Sequence, residues 1–135
     1  MVAYSFKKRF VNPIKLGLGM RVDHEPGSAW CTPKRQTIRA MGRRRHVRQG
    51  EKLQLYTAMR TKQCQKIGDA QCVYAVPIAI DVMKTKLKFS DFVFDVDAFA
   101  RSDGFADAAD MHAFWLKEHG LGKFEGVLIR WEPLT

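Results

Sequence analysis

Within Thr32-Pro33-Lys34-Arg35-Gln36-Thr37-Ile38-Arg39, an amine, a hydroxyl and a guanidinium fall close together at Lys34, Thr37 and Arg39. If residues 36–39 are extended, side-chain alternation puts Thr37 and Arg39 on one face. Lys34 then lies ahead of the strand, just after Pro33, where a turn lets it fold back over that face. A desolvated lysine amine can accept the proton of a threonine hydroxyl, and an adjacent arginine can hold an oxyanion or a phosphate. The chemistry on offer is nucleophilic attack by Thr37 with help from Lys34, or anion binding by the two cations. An exposed strand carrying a surface lysine has the same spacing, and nothing local separates these readings.

Other reactive side chains form no pattern. Cys31, Cys64 and Cys72 are odd in number and match no zinc or redox spacing, so they read as free thiols. His24, His46, His112 and His119 make no ligand set, and the last two sit a heptad apart on an expected helix, which suits a solvated face. No metal and no cofactor is expected.

Charge is distributed unevenly over the 135 residues, whose formal net charge is +9. The first 67 residues hold 16 Lys and Arg against 3 acids, and the remaining 68 hold 7 against 11. Between positions 34 and 52, Lys34, Arg35, Arg39, Arg43, Arg44, Arg45, Arg48 and Lys52 face one acid, Glu51. Such a cluster points to a phosphate-bearing partner, because arginines clamp phosphate with two parallel donors. A solvated loop whose charge only keeps the chain in solution is the competing account. The longest nearly apolar stretch, residues 73–80, contains Pro77 and falls well short of the roughly 18 residues of a membrane span. The first residues lack the apolar run and cleavage site of a secretory signal, so a soluble, cytoplasmic chain is expected.

The elements that must position these groups follow from periodicity. Residues 2–6 alternate as a first strand, and 10–18 fit a short helix whose first turn tolerates Pro13. A long loop over 19–33, holding Trp30 and Cys31, leads to the 36–39 strand and the basic 40–50 loop. Residues 52–57 alternate most clearly, with Leu53, Leu55 and Thr57 on one face. Two strands, 63–67 and 72–80, are expected on either side of a Gly68-Asp69 turn, with Pro77 at an edge or bulge. Short strands at 86–89 and 92–94 and a helical turn at 97–101 follow. The last helix starts at its cap Asp107 and ends at Gly120, and its Met and aromatic stripe is read as core. A final strand covers 125–132. One α+β domain spanning 1–135 results, a small mixed β-barrel with two or three flanking helices.

Four blocks in this order resemble the ASCH domains of the PUA-like superfamily: Lys34-x-x-Thr37-Ile38-Arg39, then Gly50-Glu51-Lys52-Leu53-Gln54-Leu55-Tyr56-Thr57 running on to Arg60-Thr61-Lys62-Gln63-Cys64, then Asp103-Gly104-Phe105, and Gly126-Val127-Leu128-Ile129-Arg130-Trp131. The resemblance implies a PUA-like barrel with helices around a cleft that binds RNA or nucleotides. Some members, bacterial amidohydrolases acting on N4-acetylcytidine, use a lysine, a threonine and a carboxylate there. Lys34 and Thr37 match the first two, and Asp103 is the nearest counterpart of the third, one methylene shorter than the glutamate of those enzymes. An Asp-Gly pair ahead of a helix is also an ordinary turn. The long 19–33 segment and the arginine-rich 40–50 loop depart from those enzymes, and both favour a polymeric or phosphorylated ligand.

The expected function is therefore RNA or nucleotide binding in a basic cleft. Lys34, Thr37 and Arg39 form its floor, Arg35, Arg43, Arg44, Arg45 and Arg48 supply phosphate contacts, and Tyr56 and Trp30 offer stacking surfaces. The alternative is an amidohydrolase of N4-acylated cytidines using Lys34, Thr37 and Asp103 as catalytic residues. A ribonuclease is a weaker third reading, since no histidine pair takes the acid and base roles.

Overall fold

The computed structural model describes residues 2–22, 32–90 and 92–134. Trp30 and Cys31, expected in the long loop, lie outside the described residues. The chain is α+β. Six strands, β1 (Val2–Phe6), β2 (Gln36–Ala40), β3 (Lys52–Thr57), β4 (Gln65–Val82), β5 (Leu87–Phe89) and β6 (Gly122–Pro133), form one sheet in the order β1-β3-β4-β6-β2, with β5 on β4. All pairings are antiparallel except β1 with β3. The helices are α1 (Val11–Gly17), preceded by a 3-10 turn over Lys8–Phe10, α2 (Val96–Ser102) and α3 (Ala108–His119).

The expected barrel is not closed by backbone pairing, because β1 and β2 are the two ends of the ladder. The sheet nevertheless curls enough for a side chain to cross between them. Arg39 Nη2 on β2 donates to the Ser5 carbonyl on β1 at 2.8 Å.

Two expected strands are one. Gly68 and Asp69 do not turn the chain but pair with Leu55 and Gln54, so β4 runs unbroken for 18 residues. Gly68 lies against the end of α1, where a Cβ would stand 2.7 Å from Leu18 Cδ1, the tip of a side chain that can turn aside. Bulges at Leu55/Tyr56 and at Cys72/Tyr74 bend the long strand. Pro77 does sit on an edge, because β3 stops pairing at Gln71 and β5 begins at Ile80, leaving β6 as the neighbouring strand. The strand expected at 92–94 does not form. Phe92 and Phe94 point into solvent, Phe94 at 93% exposure, and aromatic residues with no partner strand gain nothing from an extended chain.

The helices start and stop where side chains satisfy their free ends. Asp95 accepts from Ala98 N on α2, Asp107 accepts from Asp110 N on α3, and Gly120 ends α3 with φ 74°. The turn expected at 97–101 is the middle of α2. Leu53, Leu55, Ile80, Leu128, Ile129 and Trp131 are buried, so β3, β4 and β6 form the floor of the core. Ile14 of α1 and Met111 and Trp115 of α3 complete it from the helical side.

Candidate functional site

Lys34 is fixed by its own backbone before its side chain does anything. Its N–H donates to the Pro13 carbonyl at 2.8 Å, Arg35 N–H donates to the Ser102 carbonyl at 3.0 Å, and Trp131 N–H donates to the Arg35 carbonyl at 2.9 Å. The main chain is thus clamped between α1, the end of α2 and β6. Gly17 permits the clamp, since a Cβ there would lie 2.1 Å from the Lys34 carbonyl oxygen.

The Lys34 side chain runs inward to Asp103, which caps the C-terminus of α2. Both are buried, at 2% and 5% exposure. Lys34 Nζ donates to the Asp103 main-chain carbonyl and stands 3.5 Å from Oδ1. That carboxylate oxygen is buried without a hydrogen-bond partner among the described residues. The ammonium also lies 4.7 Å from the Phe10 ring centroid and 5.6 Å from that of Phe6. Asp103-Gly104 is a turn as well as a carboxylate site: Gly104 has φ 92°, and a Cβ on it would meet Lys34 Cδ at 2.9 Å.

Burial dominates the electrostatics of the pair. It pushes the Lys34 amine down to about 8, with the Asp103 charge opposing. It pushes the Asp103 carboxyl up to about 6, with Lys34 opposing. Both groups sit closer to neutrality than in water, a condition that proton transfer requires.

Thr37 and Arg39 share a face of β2 as alternation requires. Arg39 Nε donates to Thr37 Oγ1 at 3.2 Å, and the guanidinium lies 4.6 Å from the Phe6 centroid and 5.2 Å from that of Tyr4. Burial lowers the Arg39 pKa, although the cation persists. Its hydrogen-bond acceptors are a hydroxyl and a carbonyl, so no carboxylate is bonded to it among the described residues, although the Asp103 charge in the same pocket favours the cation.

Lys34, Thr37, Arg39 and Asp103 all line one pocket of about 270 Å³, walled by Phe6, Phe10, Phe105, Phe114 and Phe124. Its rim carries Lys7, paired with Glu118 at 2.8 Å, and His119, packed on Trp115. Thr37 and Lys34 share this space, yet the amine bonds to Asp103 rather than to the hydroxyl.

The other expected contacts go elsewhere. Arg35 lines a separate cleft with Arg101 and Arg130 and donates to the Gly17 carbonyl. Arg43, Arg44 and Arg48 are exposed and do not line the pocket. Arg45 is held by Glu51 at 2.6 and 3.2 Å, which also accepts from Arg48 N–H and whose carboxyl is lowered by these bonds. Tyr56 is half-buried on β3 beside Ser5 and Lys66 and does not reach the pocket.

Four features of the site escaped the sequence reading. The Phe6 and Phe10 rings under the cations, the Ser5 carbonyl and the Lys7–Glu118 rim join segments far apart in the chain. The fourth is the anchor of the basic loop. Val47 N–H donates to the Tyr4 hydroxyl at 3.1 Å, and that hydroxyl meets His46 Nδ1 at 2.9 Å. His46 Nε2 lies 2.9 Å from the Ala40 carbonyl, which can only accept. The Nε2–H of His46 therefore donates to that carbonyl, which ties the ring to the end of β2.

Among the described residues no three His, Cys, Asp or Glu side chains converge to hold a metal ion, and no helix is long and apolar enough to cross a membrane. Comparison with protein-family models, curated proteins and solved structures gives no significant match for this chain.

Proposed function

We propose that this chain is an RNA- or nucleotide-binding domain of the ASCH type, with a nucleobase-sized group entering the pocket over Lys34 and Thr37 and an anionic group held by Arg39. The observation that carries the reading is the state of Arg39. A half-buried guanidinium with no carboxylate bonded to it among the described residues, seated on two aromatic rings in the wall of a mostly apolar pocket, is suited to receive an anion. The curled sheet, whose ends this arginine bridges, supports the PUA-like assignment as an incompletely closed barrel. Calorimetric titration with cytidine and with its 5′-monophosphate tests the proposal. The nucleotide is expected to bind more tightly than the nucleoside, and Arg39→Gln to remove the difference. Equal binding of both by the native protein, or binding of neither, overturns it.

A second reading, hydrolysis of N4-acetylcytidine, is favoured by the lowered amine of Lys34 in a pocket shared with the Thr37 hydroxyl. In this scheme Thr37 Oγ attacks the amide carbonyl while neutral Lys34 takes the hydroxyl proton. Arg39 stabilises the oxyanion. The C–N bond then breaks as the proton passes to the departing cytidine amine, and water releases acetate from the threonine ester. Cytidine release that is absent in Thr37→Ala supports this chemistry, and release that survives the substitution excludes Thr37 as nucleophile.

A further inference from the structure

The pocket does not end at Lys7. Ser5, Phe6 and Lys7 are also walls of a second cleft of about 400 Å³, which Lys8, Thr57 and Ala58 continue. Those last three in turn line a broader groove of about 740 Å³ that reaches Arg9, Asn12, Lys62 and Gln63. The three cavities share lining residues and so lie in succession along the β1–α1 connection and the β3–β4 turn.

Among the described residues no Asp or Glu lines the two outer cavities. Two of the cations along these cavities already have partners, Lys7 with Glu118 and Arg9 with Asp110 at 2.7 Å. Arg9 also stacks against Phe10, Phe105 and Phe114, where it seals the aromatic wall. Lys8 and Lys62 have no ion-pair partner among the described residues. They are exposed cations lining a groove that has no acid among the described residues, together with Asn12 and Gln63.

A second observation comes from the backbone. Ala58 and Arg60, in the turn that forms one bank, adopt φ of 53° and 66°, a region that residues with a Cβ seldom occupy. The turn is held there by Met59 N–H donating to Ser5 Oγ at 3.2 Å and by Thr61 Oγ1–H donating to the Ala58 carbonyl at 2.7 Å. Backbone kept in a disfavoured conformation by several bonds is characteristic of ligand-contacting loops.

We infer that the ligand is a single-stranded RNA longer than one nucleotide, whose neighbouring phosphates run over Lys8 and Lys62, away from the arginines at 43–48. This rests on the proposed base site, which it extends. Asn12 and Gln63 line the outer groove as partners for sugar hydroxyls, and a base that enters the pocket is unpaired, so the strand that carries it is single.

Fluorescence anisotropy with a labelled pyrimidine hexaribonucleotide over a salt series, with cytidine monophosphate as competitor, tests the inference. The hexamer is expected to bind at least about tenfold more tightly than the mononucleotide. Lys8→Gln and Lys62→Gln should each weaken hexamer binding and lower the log–log salt slope by about 0.7, while leaving mononucleotide affinity unchanged. Arg43→Gln and Arg44→Gln, on the opposite loop, should leave the slope unaltered. A hexamer that binds no better than the mononucleotide overturns the track and leaves the base site standing. A slope that falls with Arg43 and Arg44 but not with Lys8 and Lys62 moves the strand to the other loop and also overturns it. Hexamer binding that depends on Lys8 and Lys62 but is indifferent to Arg39→Gln retains the groove and removes the base site.

Discussion

Replacing Lys34 by Met keeps the aliphatic stem and removes the cation, leaving Asp103 buried with one oxygen already short of a donor. A lone carboxylate in that setting takes up a proton rather than remain charged. An Asp carboxyl in the unfolded chain has a pKa of about 3.9, so at pH 7 protonation spans about three units at about 1.4 kcal/mol each. The ceiling on the cost is thus about 4 kcal/mol, within the range found when a buried ion pair loses one partner. The Arg39 charge, which favours the ionised carboxylate, brings it somewhat below that. The sign follows from linkage: the folded variant holds a proton that the unfolded chain releases, so its stability falls as pH rises above about 4. Asp103→Asn is the mirror image. Lys34 is then buried alone, the folded state sheds a proton that the unfolded amine keeps, and stability rises with pH until about 10. Urea unfolding followed by circular dichroism at pH 5, 7 and 9 should give opposite pH slopes for the two single variants relative to the native protein. The double variant should be less destabilised at pH 7 than the sum of the singles and lack both slopes. Penalties that do not change with pH, or a double variant equal to that sum, would refute the account of a mutually neutralised buried pair.

Three further outcomes are expected. Gly17→Ala forces a Cβ to within 2.1 Å of the Lys34 carbonyl and should cost about 1–3 kcal/mol in thermal unfolding, with ligand affinity lost in parallel because the clamp on Lys34 shifts. Tyr4→Phe leaves the Val47 N–H, itself buried, without its acceptor and should cost about 1–3 kcal/mol, whereas the exposed Arg43→Ala should not change the melting temperature measurably. If the hydrolytic reading holds, the rate of acetate release should climb as pH rises through about 8, where Lys34 loses its proton, and a profile that is flat there removes Lys34 as the base.

What the sequence discloses here depends on how local the cause is. The Asp107 cap and Gly120 stop of α3, the alternation over Lys52–Thr57 and the pairing of Thr37 with Arg39 on one face all arise within a few residues, and all appear in the structure as read. Gly68-Asp69 has turn chemistry yet continues a strand, because both residues find ladder partners in Leu55 and Gln54 of another segment. Asp103 could be singled out only through the resemblance. Its burial against Lys34 depends on where α2 ends, which no spacing between positions 34 and 103 encodes. The same limit hid the Phe6 and Phe10 rings, whose strand and helix could be read from periodicity but not their role as the faces on which two cations rest.

Charge density along the chain is a poorer guide than charge left over after folding. The densest run, Arg43-Arg44-Arg45, drew attention in the sequence, yet Arg45 is neutralised by Glu51 and the loop is pinned back onto β1 by His46 and Val47. Folding likewise pairs Lys7, Arg9 and Lys66 with Glu118, Asp110 and Asp69, three acids from the second half of the chain, where acids are in excess. With Lys34 on Asp103, that half pairs with four of the first half's cations among the described residues. Along the pocket and the outer groove the cations with no carboxylate bonded to them among the described residues are Arg39 inside and Lys8 and Lys62 outside. Interaction strength depends on the dielectric around a charge as well as its number, so half-buried Arg39 contributes more to the affinity for one anion than the exposed lysines do. Exposed Lys8 and Lys62 act instead on the salt dependence, where each phosphate contact counts alike. The two kinds of cation are thus separable by experiment: substitution at Arg39 changes affinity at every salt concentration, and substitution at the lysines changes the slope.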